Sequence, residues 1–363
     1  MPLKFKLNKV SQSVDLLEIC DKLSEKIIEF GNELVGVEEN SNFVLNIIDL
    51  ETPKAFRRKS QEEMVVSITL IKEPVSDLKS YCYAGLIKSI SNILFCIYFT
   101  EGMAQPKGYS ITPEVGFTEF DYSPESMYHY MYPVISSHFV LRNHLIEDPL
   151  LTGIKVPEVE DILVFGKELK SLGVLPAPFP LTKFLDQEII DQLFRLYQVR
   201  GLSYGNLSIR NVTYPTDGTS FWMTARGVDK SNLAGIGKDV LLVTGFDELN
   251  GTMDISVPPD YEPRVRVSVD AIEHYWIYRE FPDVGAIVHV HAWIDDVICT
   301  TQTYPCGTSE LADNVVKLLR TSKNPERAEV GLKNHGLTIT GPDIREIFLR
   351  IKGRLQTKVP MFN

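Results

Sequence analysis

The sequence predicts an α/β protein of two domains. Three observations carry that prediction. The 363 residues exceed the roughly 250–300 that one core ordinarily fills. A proline cluster from Leu175 to Pro180 punctuates the middle of the chain. Helical and strand patterns alternate on both sides of it. The cluster divides the chain into residues 1–175, read as an α+β domain, and residues 181–363, where strands and helices interleave. The second part has meander-like strands rather than a clean βαβ repeat.

In the first part, Ser13 to Phe30 has helical periodicity, and Asn42 to Leu50 and Glu63 to Ile71 read as two strands around a polar loop. Leu78 to Tyr98 reads as a helix followed by a strand. Residues 104–134, rich in Pro, Gly and Tyr, read as irregular structure, with Tyr128 to Tyr132 as an aromatic core patch. No catalytic motif is legible before the proline cluster. After it, Phe184 to Arg200 has the spacing of an amphipathic helix that Gly201 would end. Strands follow at Asn206 to Thr213, Ser220 to Thr224 and Val240 to Gly245. Ser268 reads as the cap of a helix running to about Glu280, and Pro282-Asp283 turns the chain into a strand from Gly285 to His291. Gly307-Thr308 opens a helix from Ser309 to Arg320, and a strand at Asn334 to Leu337 and a helix from Pro342 to Lys352 complete the pattern.

Composition excludes some functions. A formal charge of −11 lacks the basic footprint of a nucleic-acid-binding protein. The five cysteines (20, 82, 96, 299 and 306) are odd in number, widely spaced and without a CxxC pair, which suits reduced thiols in the cytoplasm. The first fifteen residues lack the apolar run of a secretory signal. The most apolar stretch, Leu86 to Phe99, is interrupted by Lys88 and Ser89 and falls short of a membrane span.

The chemistry concentrates near the end of the chain. His289 and His291 bracket one valine, so on a strand they project from the same face. Asn334-His335-Gly336-Leu337 follows about forty residues later. A pair of histidines at a strand end is often just hydrogen-bonded; a third in its own glycine-bounded turn points to a three-histidine metal site. Zinc with three protein ligands keeps an open position, the catalytic pattern. Three weaker signals suggest an anion pocket. They are Gly205-Asn206-Leu207-Ser208 at a turn, Arg226-Gly227 after Thr224-Ala225, and Ser268 at a helix start. Each alone is more often ordinary structure; it is together that they suggest the pocket. Asp270, in the first turn of the helix, favours the helix dipole without any function. Beside a metal it could serve as general acid or base, as could Glu273, and spacing alone does not choose between them.

These motifs, in this order, resemble the class II aldolase/adducin family. The resemblance runs from about residue 181 to 355 and rests on GNLS at 205–208, TARG at 224–227, the segment 268–292, YPCGTSELA at 304–312 and NHGL at 334–337. It implies an α/β/α fold around a mainly antiparallel sheet and a divalent metal, usually zinc, on His289, His291 and His335. It implies phosphate binding by Gly205, Asn206, Arg226, Gly227 and Ser268, and catalysis by Asp270. Asp270 stands nineteen residues before the first histidine, where the family has glutamate. Val269 replaces the second of two serines, Arg226 a small hydroxyl residue, and Thr303, followed by Tyr304, an aldolase tyrosine. The implied activity is that of a metal-dependent lyase on a small hydroxy-carbonyl substrate. It would act through a metal-stabilised enediolate, with retro-aldol cleavage as the default. Dehydration, epimerisation and decarboxylation share that chemistry, and a non-catalytic adducin-like oligomerisation module is the alternative of another class. A homo-oligomer, a tetramer in the family, is implied as well.

Overall fold

The near-continuous apolar runs of the first hundred residues become neighbouring strands of one sheet, buried on both faces as parallel strands require. They are seen in a computed structural model that describes residues 2–60, 63–113, 117–140, 142–175, 186–187 and 203–361. The first of two compact units is built mainly on residues 1–137. Its elements are β1 (Lys4–Lys9), α1 (Val14–Glu29), β2 (Glu33–Leu34), β3 (Phe43–Ile47), β4 (Met64–Ile71), α2 (Leu78–Ser89), β5 (Ile93–Tyr98), β6 (Lys107–Ile111), β7 (Thr118–Asp121) and α3 (Pro124–Ile135). The sheet order is β2-β1-β3-β4-β5-β6-β7, parallel as far as β5 and antiparallel beyond it. Ser13 caps α1 by accepting from the Leu16 amide, which fixes the start that periodicity suggested.

The second unit is built mainly on residues 138–360. Its elements are β8 (Arg142–Glu147), α4 (Pro157–Ser171), β9 (Asn206–Arg210), β10 (Phe221–Thr224), β11 (Val240–Asp247), β12 (Thr252–Val257) and α5 (Ala271–Glu280). They continue with β13 (Ala286–Val290), β14 (Ile298–Cys299), α6 (Ser309–Thr321), β15 (Glu329–Leu332), β16 (Gly336–Gly341) and α7 (Ile344–Ile351). The nine strands run β14-β15-β16-β13-β9-β10-β11-β12-β8, and every pair is antiparallel except the two at the edges. Alternation along each strand sends side chains to two apolar layers. Phe221, Met223, Leu241, Val243 and Ile287 pack with Ile272 and Ile277 of α5 and Leu311 and Val315 of α6. On the other face, Leu207, Val288, Leu337 and Ile339 pack with Leu169 of α4 and Ile347 of α7. Helices on both faces of a mainly antiparallel sheet give the α/β/α arrangement that the resemblance implies.

Three expectations need correction. Residues 104–134 are not irregular: β6 and β7 extend the first sheet and α3 follows, with Ser123 accepting from the Ser126 amide and Pro124 at the first helical position. There the proline starts an element instead of interrupting one. The α3 segment does carry the expected aromatic patch, with Tyr128 stacked on Phe30. Second, the compact units divide at residues 137 and 138, not at the proline cluster. The reason is pairing: β8 completes the second sheet beside β12, and α4 covers β9 and β10. Third, β8, β12 and β15 are strands that local pattern missed, because cross-strand partners define them. Residues 176–180 of the proline cluster and most of the expected helix at 184–200, with Gly201, lie outside the described residues. No disulfide joins any of the five cysteines. Among the described residues no helix is long and apolar enough to cross a membrane.

Candidate metal centre and acid–base site

Strand alternation that buries Leu207, Val288 and Leu337 under α4 and α7 turns their neighbours toward α5. Asn206 and Ser208 of β9, His289 of β13 and Thr338 of β16 form a polar row on that face. His289 lies directly between Asn206 and Thr338 in the ladder. Three members of the row meet α5 or the residue before it: Asn206 meets Asp270, Ser208 meets His274 and Thr338 meets Glu273.

His335 arrives by a hairpin. Leu332 pairs with Gly336 across a loop of Lys333, Asn334 and His335, in which Asn334 takes a left-handed conformation (φ 57°) and the His335 amide donates to the Leu332 carbonyl at 3.0 Å. A Cβ at Gly336 would stand 2.3 Å from the Val290 carbonyl oxygen, so glycine lets the hairpin tip close on the end of β13. The ring centroids of His289, His291 and His335 are consequently 4.8–5.1 Å apart. All three side chains are buried. Burial pushes His289 below the usual histidine range and His291 and His335 well below it, so each imidazole is held in the neutral, ligating form.

The three residues fit a divalent metal. His289 Nδ1 donates to the Leu337 carbonyl at 3.0 Å, which fixes the tautomer and leaves Nε2 as a lone pair. His289 Nε2 and His291 Nδ1 are buried without a hydrogen-bond partner among the described residues. His291 Nε2 and His335 Nε2 face each other at 3.2 Å. Two nitrogens about 2.0–2.1 Å from a tetrahedral zinc would be about 3.3–3.4 Å apart. One ligand atom from each of the three histidines lies within 4.8 Å of the others, so the buried triad could hold a metal ion.

Asp270 stands beside this triad. It is the residue before the first turn of α5, is 5% exposed, and directs its carboxylate away from the helix amides. Asn206 Nδ2 donates to Asp270 Oδ2 at 2.6 Å and to Ser268 Oγ at 3.2 Å, while Ser268 Oγ lies 3.4 Å from Asp270 Oδ2. The expected cap at Ser268 is therefore corrected. Its hydroxyl serves the Asn206–Asp270 pair, and its backbone carbonyl receives the Ala271 amide. Glu273 is tied by a hydrogen bond from Thr338, and burial, with Asp270 beside it, pushes its carboxyl up to about 8. Gly205 has φ 76°, and a Cβ there would lie 2.4 Å from the His289 carbonyl oxygen. Glycine there lets the turn close on the backbone of β13. Arg226 reaches solvent, and protein around its guanidinium lowers its pKa despite attraction from Asp270 and Cys306. Gly227 follows at φ 68°.

Sequence reasoning passed over three neighbours of the triad. Cys306 Sγ is 3.1 Å from His335 Nε2, and ligand atoms of Asp270, His289 and Cys306 lie within 4.8 Å of one another. Lys230 is 3% exposed and donates to the Ser203 carbonyl at 2.7 Å. Burial pushes its pKa down to about 8 against the attraction of Asp270. The Tyr204 ring meets His291 edge-on at 5.0 Å. Each of these residues adjoins a motif that was read (Tyr204 before Gly205-Asn206, Lys230 after Arg226-Gly227, Cys306 before Gly307-Thr308). Adjacency was the only available signal.

Residues 188–294 match the Class II Aldolase and Adducin N-terminal domain. The chain is 26% identical over 169 residues to L-fuculose phosphate aldolase of Methanococcus maripaludis, covering 41% of this chain and 78% of that protein. Among solved structures, YgbL from Klebsiella pneumoniae aligns over 53% of this chain and 82% of its own, with 19% identity and a TM-score of 0.34. Within its C-terminal half, residues 188–294 of this chain are a class II aldolase/adducin domain.

Proposed function

We propose that the second unit is a metal-dependent lyase acting on a small hydroxy-carbonyl substrate, with aldol-type carbon–carbon cleavage as its reaction. The observation that carries this reading is the carboxylate of Asp270 beside His289, the residue it shares a donor cluster with, next to the His289–His291–His335 triad. His289, His291 and His335 would hold a divalent ion, zinc in the first instance, which would supply Lewis acidity toward a substrate carbonyl. Asp270 then takes or returns the proton of the neighbouring hydroxyl or carbon. The Asn206 amide orients the carboxylate, and the buried, partnerless Asn206 Oδ1 is suited to accept a hydrogen bond from a substrate hydroxyl. Glu273, fastened to Thr338 and largely protonated near neutrality, is the weaker candidate for the base. Arg226, at the solvent edge and electrostatically coupled to Asp270, favours an anionic substituent such as phosphate. Gly205, Gly227 and Ser268 shape the turns around that end of the site.

The test begins with metal content per chain by elemental analysis. About one divalent ion per chain, lost in His335→Ala and retained in Asp270→Asn, is the expected result. Phosphorylated hydroxy-ketones, L-fuculose phosphate among them, then form the substrate panel. Turnover that persists in Asp270→Asn would remove the acid–base role. A chain that takes up no zinc, manganese, cobalt or iron would leave a binding module in place of an enzyme.

A further inference from the structure

The donors around His289 do not end with three imidazoles. Cys306 lies in the turn before α6, and that turn is anchored on several sides. Thr308 Oγ1 donates to the Pro305 carbonyl at 2.7 Å, and the Gly307 carbonyl accepts from the Val140 amide at 2.8 Å. Gly307 (φ 75°) abuts Val269, the residue before Asp270, so closely that a Cβ there would lie 2.9 Å from Val269 Cβ. The thiol is thereby seated against the end of the polar row. Its Sγ lies 3.1 Å from Nε2 of His335 and 3.8 Å from Nδ1.

We propose that Cys306 is a fourth protein ligand of the resting ion, giving a three-histidine, one-thiolate set that a substrate oxygen would enter by displacing the thiolate or as a fifth donor. The proposal rests on the reading above that the histidines hold a metal. Three observations support it. The Cys306 and His289 ligand atoms belong to one cluster within 4.8 Å. His289 Nε2, at a residue 2% exposed, has no hydrogen-bond partner among the described residues and so is available to the same ion. A sulfur about 2.3 Å and a nitrogen about 2.0–2.1 Å from a tetrahedral zinc would be about 3.5–3.6 Å apart, within about half an ångström of the separation of Cys306 from His335. On binding, the S–H proton leaves to solvent and a sulfur lone pair forms the coordinate bond; nothing is oxidised or reduced. A soft fourth donor shifts the preference of the site toward zinc and cobalt and away from magnesium and manganese.

The test uses the full chain, stripped of metal and titrated with cobalt(II) alone. One cobalt per chain with a near-ultraviolet sulfur-to-cobalt charge-transfer band is expected in the wild type. In Cys306→Ser the cobalt should remain, its visible bands changed and the near-ultraviolet band gone, with weaker affinity in competition with a chelator. Stoichiometric cobalt without that band, or a band that survives in Cys306→Ser, overturns the assignment of Cys306 and leaves the three-histidine reading intact. Failure of the wild type to bind cobalt overturns both. Should Cys306→Ser not fold, X-ray absorption of the zinc-loaded wild type decides. A sulfur shell near about 2.3 Å supports the ligand, and nitrogen and oxygen alone exclude it.

Discussion

Asn206 Nδ2 donates to Asp270 Oδ2 across 2.6 Å, from a residue directly opposite His289 in the strand ladder. One amide therefore connects the acid to the sheet that carries the triad. Asn206→Ala should leave a buried carboxylate oxygen short of its main donor, with only the longer contact to Ser268 remaining. The expected loss is about 1–3 kcal/mol of stability, read as a lower midpoint in denaturant. An unchanged midpoint would mean that the pair contributes nothing.

Glu273 should make stability depend on pH in a predictable direction. Its folded carboxyl is raised from 4.5 to about 8, so the folded state binds the proton more tightly than the unfolded state. The contribution is complete below about 4.5 and is lost as pH rises toward about 8. Glu273→Gln keeps a neutral, hydrogen-bonding side chain and removes that loss. Metal-free wild type and variant should differ little at pH 5, and the variant should gain on the wild type by pH 8, by a few kcal/mol as an order of magnitude. Parallel melting curves across that range would reject the buried-acid account.

Acid should act through the imidazoles. His274, His289, His291 and His335 all have folded pKa values below the ordinary 6.5, because burial disfavours their charged forms. Their contribution is present above 6.5 and lost as pH falls below it, since the unfolded chain then binds the extra protons. Added zinc should raise the melting temperature at pH 7 and do so much less at pH 5, where protons compete for the same nitrogens. Equal stabilisation at both values would place the zinc elsewhere.

Gly205→Ala should damage the site without touching a ligand. The left-handed backbone alone costs about 1–3 kcal/mol for a residue with a Cβ. That Cβ would also meet the His289 carbonyl oxygen at 2.4 Å, displacing β13. Reduced stability together with weaker metal binding is expected. Wild-type metal affinity in a destabilised variant would show that the turn and the triad are mechanically independent.

Much of the metal triad is legible before folding. The two-residue period of a strand puts His289 and His291 on one face, and the glycine after His335 marks a turn close to another chain segment. Helix starts at Ser13 and at Gly307-Thr308 are legible for the same local reason: capping and backbone preference act over a few residues. The choice between Asp270 and Glu273 was not legible. Both carboxylates lie within one turn of α5, and only their partners on β9 and β16, Asn206 and Thr338, separate them. Ser268 looked like a cap because it precedes a helix, yet its hydroxyl turns to the sheet, where a buried carboxylate needs the donor. Residues 104–134 looked irregular because turn-formers dominate them, and pairing with β5 overrides that composition. Cys306 carries no signal of its own beyond its place in the 304–312 segment. The sequence by itself determined which residues could face a metal, through short-range periodicity and turn chemistry. Tertiary structure alone decided which acid stands beside them and which thiol closes on His335, because those contacts join residues far apart in the chain through the packing of α5 and α6 on the sheet.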